Sequence, residues 1–501
     1  MSLHLGTARG RVALGLLLGT TALAGLAGPA LAAPADDLAR RLEALEKSLA
    51  AQSRQLQQQQ ELIEAQAAQI QDLKRTANAT TADIKKTADE APKLALSNGR
   101  ATVSSGDGKS SVSLRGLLQY DAAYYAQKAR SGVADLSSGS GFRRARIGFD
   151  GKLFSDWSYA LQYDLGGSGT EGSRLADAYL QYDGLAPVRL RSGSFATPQG
   201  LDDQTSATDL LFLERAAPAE AARGIAGADG RKNLLSISAN GEDYYAVASW
   251  SLARVGDAAT FDAQNAAVGR LAYRVYKDQD TNVVLSAGGN YIFKLADTVS
   301  APASNSPITL QNTVENNVDT TRLVSTGAIN AKSATIWGLE AGANWKNLYG
   351  QGGYFGYKIN RRDTLPDPSF DGWYLQASWV LTGEARRYNT ATAVWQTPRP
   401  AKPFDLQKGD FGAWELAARY SKLTLDYRAG DDGLAIVTGS GGIRGGSQEG
   451  WTVGLNWYPN SVIRILLNYQ HVDVARLNAA APFTDIGQKV DILSARAQLA
   501  F

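Results

Sequence analysis

The sequence predicts an all-β fold, a sixteen-stranded antiparallel transmembrane β-barrel, preceded by a short N-terminal α-helical coiled coil. Three observations predict it. From residue 111 to 501, apolar and polar residues alternate with a period of two in segments of roughly ten residues, the pattern of strands that cross a membrane. The connections between these segments alternate between short turns and long loops. Residues 38–77 follow a seven-residue repeat instead.

Residues 1–32 have the features of a secretory signal peptide. Arg9 and Arg11 precede the apolar run 12–26, and Ala30–Ala32 offers a cleavage site. The alternative, a membrane anchor, is disfavoured because the run is short and is followed closely by Asp36. Since Arg9 and Arg11 are the only charged residues removed, the formal net charge falls from +2 to 0. A neutral mature chain argues against nucleic acid as a partner.

Residues 33–77 carry a heptad repeat and predict a coiled coil. The d positions include three consecutive glutamines, which weaken the seam and can fix register or oligomer number. A lone solvated helix is the alternative, but self-association is the simplest way to bury the apolar seam. Residues 78–110 lose the repeat, are rich in Thr, Ala and Lys, and predict a flexible linker with a short helical patch. The a positions are Leu42, Leu49, Leu56, Ile63, Ile70 and Ala77, and the d positions are Leu38, Leu45, Gln52, Gln59, Gln66 and Leu73.

Residues 111–501 alternate in a way that favours a barrel in a membrane over a soluble sandwich. In the first segment Leu114 and Leu118 share one face, whereas Arg115 and Gln119 share the other. A sandwich turns its apolar face inward and uses short strands. Here the segments are long and their aromatic residues cluster toward the ends, as in the aromatic girdles of outer-membrane barrels. The amphipathic last segment ends on Phe501, which resembles the C-terminal signature of outer-membrane proteins.

The strand count is sixteen when the segment "GAWELAARYSKLTLDYRAG" (residues 412–430) contains one strand. A first count gives seventeen, because the apolar phase changes between Trp414–Tyr420 and Leu423–Tyr427. A β-bulge explains such a change, and bacterial single-chain barrels have even strand numbers. With sixteen strands all short turns lie at one end, which we expect to be periplasmic. The segment 383–410 is the exception, because it is long and yet lies at that end.

Several segments together resemble the phosphate-selective porin O and P family. They are "FRRARIGFDGKLFSDWSYALQYDLGG", "LADAYLQYDG", "FLERAAP", "DGWYLQASWVLTGEARRYN", "GAWELAARYSKL" and "WTVGLNWYPNSVIRILLNYQHV", in family order from about residue 111 to 501. The resemblance implies a homotrimeric sixteen-stranded outer-membrane porin with a lumen lined by basic residues. It also implies a narrowing made by the inward-folded third loop, which is residues 196–232 by our topology.

The polar faces of the predicted strands carry the candidate pore-lining basic residues, which could bind anions weakly in succession. These are Arg115, Arg144, Arg146, Lys152, Arg189, Arg191, Arg270, Arg274, Arg419, Arg464 and Arg496. The alternative is that they pair with neighbouring acids, namely Asp121, Asp150, Asp164, Asp177, Glu340, Glu415 and Asp491. The candidate constriction residues are Asp202, Asp203, Asp209, Phe212, Glu214, Arg215 and Arg223.

The charge of the third loop favours broad over phosphate-specific selectivity. Residues 196–232 contain six acidic and four basic residues. Where phosphate-selective members tend to carry a lysine, "GSFATPQG" has Ala196 and Gln199. We therefore expect passive diffusion of small hydrophilic solutes with a preference for inorganic anions such as phosphate. The alternative is a non-selective or oligosaccharide porin whose coiled coil has a structural role in tethering the barrel to the cell wall.

Other functional classes are disfavoured. The chain has no cysteine, no common catalytic motif and, after the signal peptide, only His471, so we expect no enzyme, no cofactor and no metal site. Trimeric adhesins also join coiled coils to barrels, but there several chains build one barrel. The expected location is the bacterial outer membrane, with the coiled coil in the periplasm. The expected partners are membrane lipid, two further copies of the chain and, through the coiled coil, peptidoglycan.

Overall fold

The computed structural model describes residues 35–128, 134–167, 174–225, 230–252, 263–297 and 307–501. The predicted signal peptide and Asp229 lie outside these ranges. The chain divides at residue 87 into two compact units.

The described part of the N-terminal unit is helical: helix α1, Ala35–Glu90, begins there, ends three residues past its boundary and has no buried residue in the single chain. Its predicted seam residues are largely exposed, as Leu49 (67%) and Ile63 (64%) illustrate. The helix extends past residue 77, which differs from the expected linker. Among the described residues, no helix is both long enough and apolar enough to cross a membrane.

The second unit is a closed antiparallel barrel of sixteen strands, as predicted. Closure comes from the last strand, which pairs with the first barrel strand from Ala500 opposite Leu117 to Val490 opposite Gln127. The barrel strands are β3 (Ser111–Gln127), β4 (Gly139–Leu153), β5 (Trp157–Asp164), β6 (Arg174–Leu185), β7 (Val188–Ala196), β8 (Arg231–Asn240), β9 (Tyr244–Ser251), β10 (Asn265–Lys277), β11 (Thr281–Lys294), β14 (Ala331–Trp345), β15 (Leu348–Arg361), β16 (Ser369–Val380), β19 (Ala413–Tyr427), β20 (Ile443–Tyr458), β21 (Ile463–Ala475) and β22 (Gln488–Ala500).

The described residues also form six shorter strands that are not among the sixteen strands of the barrel wall. They are β1 (Lys93–Ser97), β2 (Arg100–Ser104), β12 (Gln311–Asn312), β13 (Val324–Ser325), β17 (Arg387–Asn389) and β18 (Val394–Gln396). Strands β1 and β2 form a hairpin in the segment that we expected to be linker, and β2 pairs with the start of β3.

The two faces of the barrel follow the predicted alternation. On β22, for example, Leu493 is 59% exposed on the outer face, whereas Arg496 is 1% exposed on the inner face. Closure leaves no unpaired edge in the bilayer, where unsatisfied backbone groups would be costly. The strand count of sixteen is therefore correct.

The bulge that we placed in β19 to reach this count is in the wrong position. Leu423 and Leu425 are fully buried on the inner face, in the same phase as Arg419. The shift in register with β20 lies further along, between Thr424 and Asp426. Apolar residues can face inward here because loop segments fold into the barrel and pack against them.

The two barrel ends differ in their connections. One end, here called the short-turn end, carries the brief turns that follow β4, β6, β8, β10, β14 and β20. The opposite end, the long-loop end, carries the connections that contain residues 197–230 and 295–330. The connection 381–412 between β16 and β19 lies at the short-turn end, so its unusual length there is real and the strand count needs no adjustment.

Three segments fold into the lumen. The loop predicted to narrow the pore, here called the constriction loop (described residues 197–225 and 230), contains helices α2, Leu201–Gln204, and α3, Ala217–Ile225. The second inward loop (residues 307–330) contains β12 and β13. The inward hairpin (residues 386–399) contains β17 and β18 and enters from the short-turn end.

Candidate functional site

A short apolar run fixes the constriction loop to the barrel. Leu210, Leu211, Phe212 and Leu213 are all at most 4% exposed. The guanidinium of Arg419 lies 4.5 Å from the centre of the Phe212 ring, within cation–π range. The run thus packs against the inner wall, which is how a loop of this composition can be held inside a polar lumen.

Glu214 follows this run and meets three arginines of the wall. Its carboxylate lies 2.7 Å from Arg143 Nε and 3.2 Å and 3.8 Å from guanidinium nitrogens of Arg496 and Arg144. Burial alone would raise the pKa of Glu214, but Arg143, Arg144 and Arg496 together hold it well below its usual range. Glu214 therefore stays ionised and neutralises part of the arginine charge of β4 and β22.

Arg215 has a different role, because it binds the backbone of its own loop. Its guanidinium donates to the carbonyl oxygens of Asp202 (3.1 Å), Asp203 (3.3 Å) and Thr205 (2.6 Å). Carbonyls at a helix end lack partners within the helix. Arg215 satisfies those of α2 and fixes the fold of the loop.

Two neighbouring aspartates of α2 are buried and have raised pKa values. Burial raises the pKa of Asp202 to about 7, although the Arg215 guanidinium partly opposes this. Burial likewise raises the pKa of Asp203, against the effect of Arg223, whose Nε lies 3.0 Å away. The Glu340 carboxylate accepts from the backbone N–H groups of Leu201 (2.5 Å) and Asp202 (3.0 Å), so a third acid lies beside them.

The second inward loop is joined to the constriction loop through Glu315. Its carboxylate accepts from the backbone N–H of Ala217 (2.6 Å) and the hydroxyl of Ser421 (2.5 Å), and it forms an ion pair with Arg419. Arg419 also donates to the carbonyl of Glu214 at 2.9 Å. One buried carboxylate thus connects the wall, the constriction loop and the second inward loop.

Hydrogen bonds and close packing fix the inward hairpin to three strands of the barrel wall, β10, β14 and β19. Arg386 Nε donates to Glu415 at 2.7 Å, and Arg270 donates to the carbonyls of Thr392 and Ala393 at 2.8 Å each. Trp395 is 1% exposed, and a Cβ at Gly342 would lie 2.5 Å from its ring. The wall therefore requires a glycine where the hairpin packs most closely.

Between the constriction loop and the short-turn end lies a chamber of about 610 Å³. Its charged lining side chains among the described residues are eleven arginines and three aspartates. The arginines are Arg100, Arg115, Arg144, Arg146, Arg191, Arg215, Arg223, Arg231, Arg387, Arg399 and Arg464, and the aspartates are Asp177, Asp203 and Asp209. The lining therefore has an excess of positive charge although the chain as a whole is nearly neutral. Asp150, Asp164 and Glu214, which lie behind the lining, offset part of this excess.

The structure divides the predicted basic residues into two groups. Arg115, Arg144, Arg146, Arg191 and Arg464 line the chamber. The other six do not line it. Arg419 and Arg496 lie buried beneath the constriction loop, and Arg270 binds the inward hairpin. Arg274 lies 2.8 Å from Asp243, Arg189 lies 3.7 Å from Asp183, and Lys152 is exposed near the short-turn end. Of the predicted constriction residues, Asp203, Asp209, Arg215 and Arg223 line the chamber, whereas Asp202, Phe212 and Glu214 are buried away from it.

The alternative of pairing with strand acids holds for some arginines. Arg496 pairs with Asp121 and Arg146 with Asp164, each at 2.6 Å, and Arg115 lies 3.4 Å from Asp150 and 3.6 Å from Asp177. Glu415 pairs with Arg386 instead of a predicted residue. Asp491 was wrongly placed on the inner face: it lies on the outer face, where it contacts His471 (2.7 Å) and Tyr469 (2.8 Å).

Among the described residues, further arginines that line the chamber or hold the segments around it were not among the predicted pore-lining residues, namely Arg100, Arg143, Arg231, Arg386, Arg387 and Arg399. Arg143 does not follow the alternation of the strand, because the register between β3 and β4 shifts at Gln119 and Tyr120. As a result, the neighbouring residues Arg143 and Arg144 are both buried on the inner side. Arg387 and Arg399 belong to the long connection at the short-turn end, where no strand periodicity exists. Their only signal in the sequence was the unusual length of that connection.

The sequence of the barrel is similar to known proteins. Residues 112–501 match the family described as phosphate-selective porin O and P. The chain is 26% identical over 404 residues to porin O of Pseudomonas aeruginosa, and this match covers 76% of the chain and 87% of that protein. It is 27% identical over 410 residues to an uncharacterized protein of Caulobacter vibrioides, and this match covers 79% of the chain and 75% of that protein. Among solved structures, it is similar to the anion-selective porin from Comamonas acidovorans (14% identity, TM-score 0.48, 78% of this chain and 100% of that one) and to OmpT of Vibrio cholerae (11%, 0.46, 78% and 98%). The chain therefore belongs to the phosphate-selective porin O and P family and is an outer-membrane channel protein.

Proposed function

We propose that this porin mediates passive diffusion of small hydrophilic solutes with a preference for anions, inorganic phosphate among them. The observation that carries the proposal is the chamber in which eleven arginines face three aspartates. A cluster of like charges with low-dielectric walls raises the local concentration of counter-ions. Solutes that leave the constriction toward the short-turn end must cross this field.

Several chamber arginines are held by neutral partners, which leaves their charge available to a solute. Arg191 donates to Gln181 Oε1 at 2.6 Å and lies over the Tyr179 ring at 4.3 Å. Arg464 donates to the carbonyl of Thr208 at 3.1 Å. A guanidinium can offer two parallel hydrogen bonds to an oxyanion, and successive weak sites permit transit without trapping.

The constriction loop supports a general anion preference more than strict phosphate specificity. Glu214 neutralises wall arginines, and the raised pKa values of Asp202 and Asp203 make the loop charge dependent on pH. Residues 196 and 199 supply no cation beside them. The proposal is therefore a field that attracts anions broadly rather than a site shaped for one of them.

Proteoliposome flux tests this function. Rates are compared for solutes of similar size that are anionic, neutral and cationic, and for a series of oligosaccharides. We expect the anion to cross fastest and the cation slowest. Equal rates for all three would support the non-selective alternative, and rapid oligosaccharide flux would support an oligosaccharide porin; either would contradict the anion preference.

We also propose that the protein is a homotrimer and that α1 forms a periplasmic coiled coil that contributes to assembly. The support is the seam of leucines and isoleucines that a single copy leaves exposed, because coiled coils bury such a seam between helices. Chemical cross-linking and the heat resistance of the oligomer, compared with and without residues 33–77, test the proposal. An unchanged oligomer would contradict it, and unchanged sedimentation with the cell wall would contradict a tethering role.

A further inference from the structure

The inward hairpin brings two arginines into the chamber that have no acidic partner. Arg387 is half-buried and its Nε donates to the carbonyl of Thr397 at 3.3 Å. Arg399 is exposed to the chamber. Among the residues that the structure describes, no carboxylate lies within ion-pair distance of either guanidinium. Both guanidiniums therefore face the chamber without a direct ion pair, although the Asp209 carboxylate lies close enough to act on Arg387.

Two acids of the neighbouring segments, Asp209 and Glu415, already have other partners. Asp209 Oδ1 accepts from the backbone N–H and the hydroxyl of Thr397, at 2.9 Å and 3.1 Å. Glu415 is paired with Arg386, the residue that precedes Arg387. Arg386 is thus paired with a carboxylate of the wall, whereas Arg387 and Arg399 have no ion pair and can bind another anion.

The two guanidiniums also act on each other. Burial lowers the pKa of Arg387, and the positive charge of Arg399 lowers it further, whereas the Asp209 carboxylate partly opposes both effects. Like charges held together in a partly desolvated place repel, and a bound anion relieves that repulsion. An oxyanion suits the place because each guanidinium can donate two parallel hydrogen bonds.

We propose that Arg387 and Arg399 form an oxyanion-binding site on the short-turn side of the constriction loop, and that this site dominates the anion preference of the pore. The inference rests on the proposed anion-preferring function and assigns it to particular residues. The residues that select anions would then lie on the connection between β16 and β19, whereas the constriction loop, with its excess of acidic residues, would narrow the pore.

The test is the inhibition of single-channel chloride current by inorganic phosphate, added to each side of the bilayer in turn. The variants are Arg387→Gln, Arg399→Gln and the pair together. The matched control is Lys402→Gln, which removes a positive charge from the same connection, where Lys402 lies 3.4 Å from Asp410 and outside the chamber lining. Removing one charge near the anion should raise the half-inhibiting phosphate concentration about fivefold. The control should behave like the wild type.

The outcomes separate this site from the general function. Inhibition of the wild type together with unchanged inhibition in all three arginine variants would overturn the site and leave the anion-preferring porin standing. A wild type with neither phosphate inhibition nor anion preference would overturn both. Should a glutamine variant fail to assemble, Arg387→Lys and Arg399→Lys keep the charge but lose the two-donor geometry. We expect them to weaken the phosphate effect while retaining chloride preference, and full retention of phosphate inhibition would contradict the site.

Discussion

Asp209 of the constriction loop accepts two hydrogen bonds from Thr397 of the inward hairpin, one from its backbone N–H and one from its hydroxyl. The Asp209 carbonyl also accepts from Arg386 at 3.0 Å. Two segments that enter the lumen from opposite ends of the barrel are therefore joined across it. Four predictions follow from this contact and from the charge clusters beside it.

The first concerns the contact itself. Asp209→Ala removes the carboxylate oxygen that accepts both hydrogen bonds, which are partly buried, and the net contribution of a hydrogen bond of this kind is roughly 0.5–1.5 kcal/mol. We expect the junction to loosen and single-channel current noise to rise. Thr397→Ser keeps the hydroxyl and serves as the control. A quiet Asp209→Ala channel would show that the junction does not limit loop motion.

The second concerns the charge of Glu214. Glu214→Gln leaves Arg143, Arg144 and Arg496 without this carboxylate, and breaking a buried ion pair costs about 3–5 kcal/mol. We expect a lower unfolding temperature and a stronger preference for anions, measured by thermal denaturation and by reversal potential. Glu220→Gln, in the same loop but partly exposed beside Arg223, should change both much less. Equal effects of the two variants would contradict a special role for Glu214.

The third concerns pH. The pKa of Asp202 is raised by burial to about 7 from an ordinary value of 3.8. Between these values the folded loop retains a proton that the unfolded chain has lost, so stability falls as pH rises through this window and is constant above it. Ionisation also adds negative charge beside the chamber, so anion preference should decline between about pH 6 and pH 8. Asp202→Asn should abolish much of both changes and be the more stable protein at pH 8.

Reversal potentials also show what would contradict a titrating Asp202. Reversal potentials that stay constant from pH 5 to pH 8 in the wild type, or that change as much in Asp202→Asn, would exclude Asp202 as the titrating group. Asp203 shares its burial, so Asp203→Asn distinguishes the two aspartates.

The fourth concerns Glu315, which joins the second inward loop to Arg419, Ser421 and Ala217. Glu315→Gln removes the charge that balances Arg419. We expect residues 307–330 to dock less firmly and single-channel conductance to increase. Glu242→Gln is a control because Glu242 is an exposed acid at a short turn. A conductance equal to that of the wild type would show that the loop stays in place without this ion pair.

Much of the barrel follows from local patterns in the sequence. Lipid on one side and polar lumen on the other impose a strict alternation, so the strands and their number could be predicted. Leu423 and Leu425 show where this reasoning fails: both are apolar and inward-facing, because a loop distant in sequence supplies their packing. No periodicity within β19 reveals such a partner.

The candidate site was predictable only in part. Arg115, Arg144, Arg146, Arg191 and Arg464 lie on regular strands, and their inward direction follows from alternation. Arg387 and Arg399 lie in an irregular connection whose position depends on Trp395 packing beside Gly342. Arg419 and Arg496 face inward as expected, but the constriction loop covers them, which a strand pattern cannot reveal.

The arginine-lined chamber should make this channel prefer anions. The most direct measurement is the zero-current potential of the purified protein in a planar bilayer that separates two concentrations of KCl. Because chloride should cross more readily than potassium, we expect a potential that is negative on the dilute side. A potential that is positive on the dilute side would mean that cations cross more readily and would contradict the account.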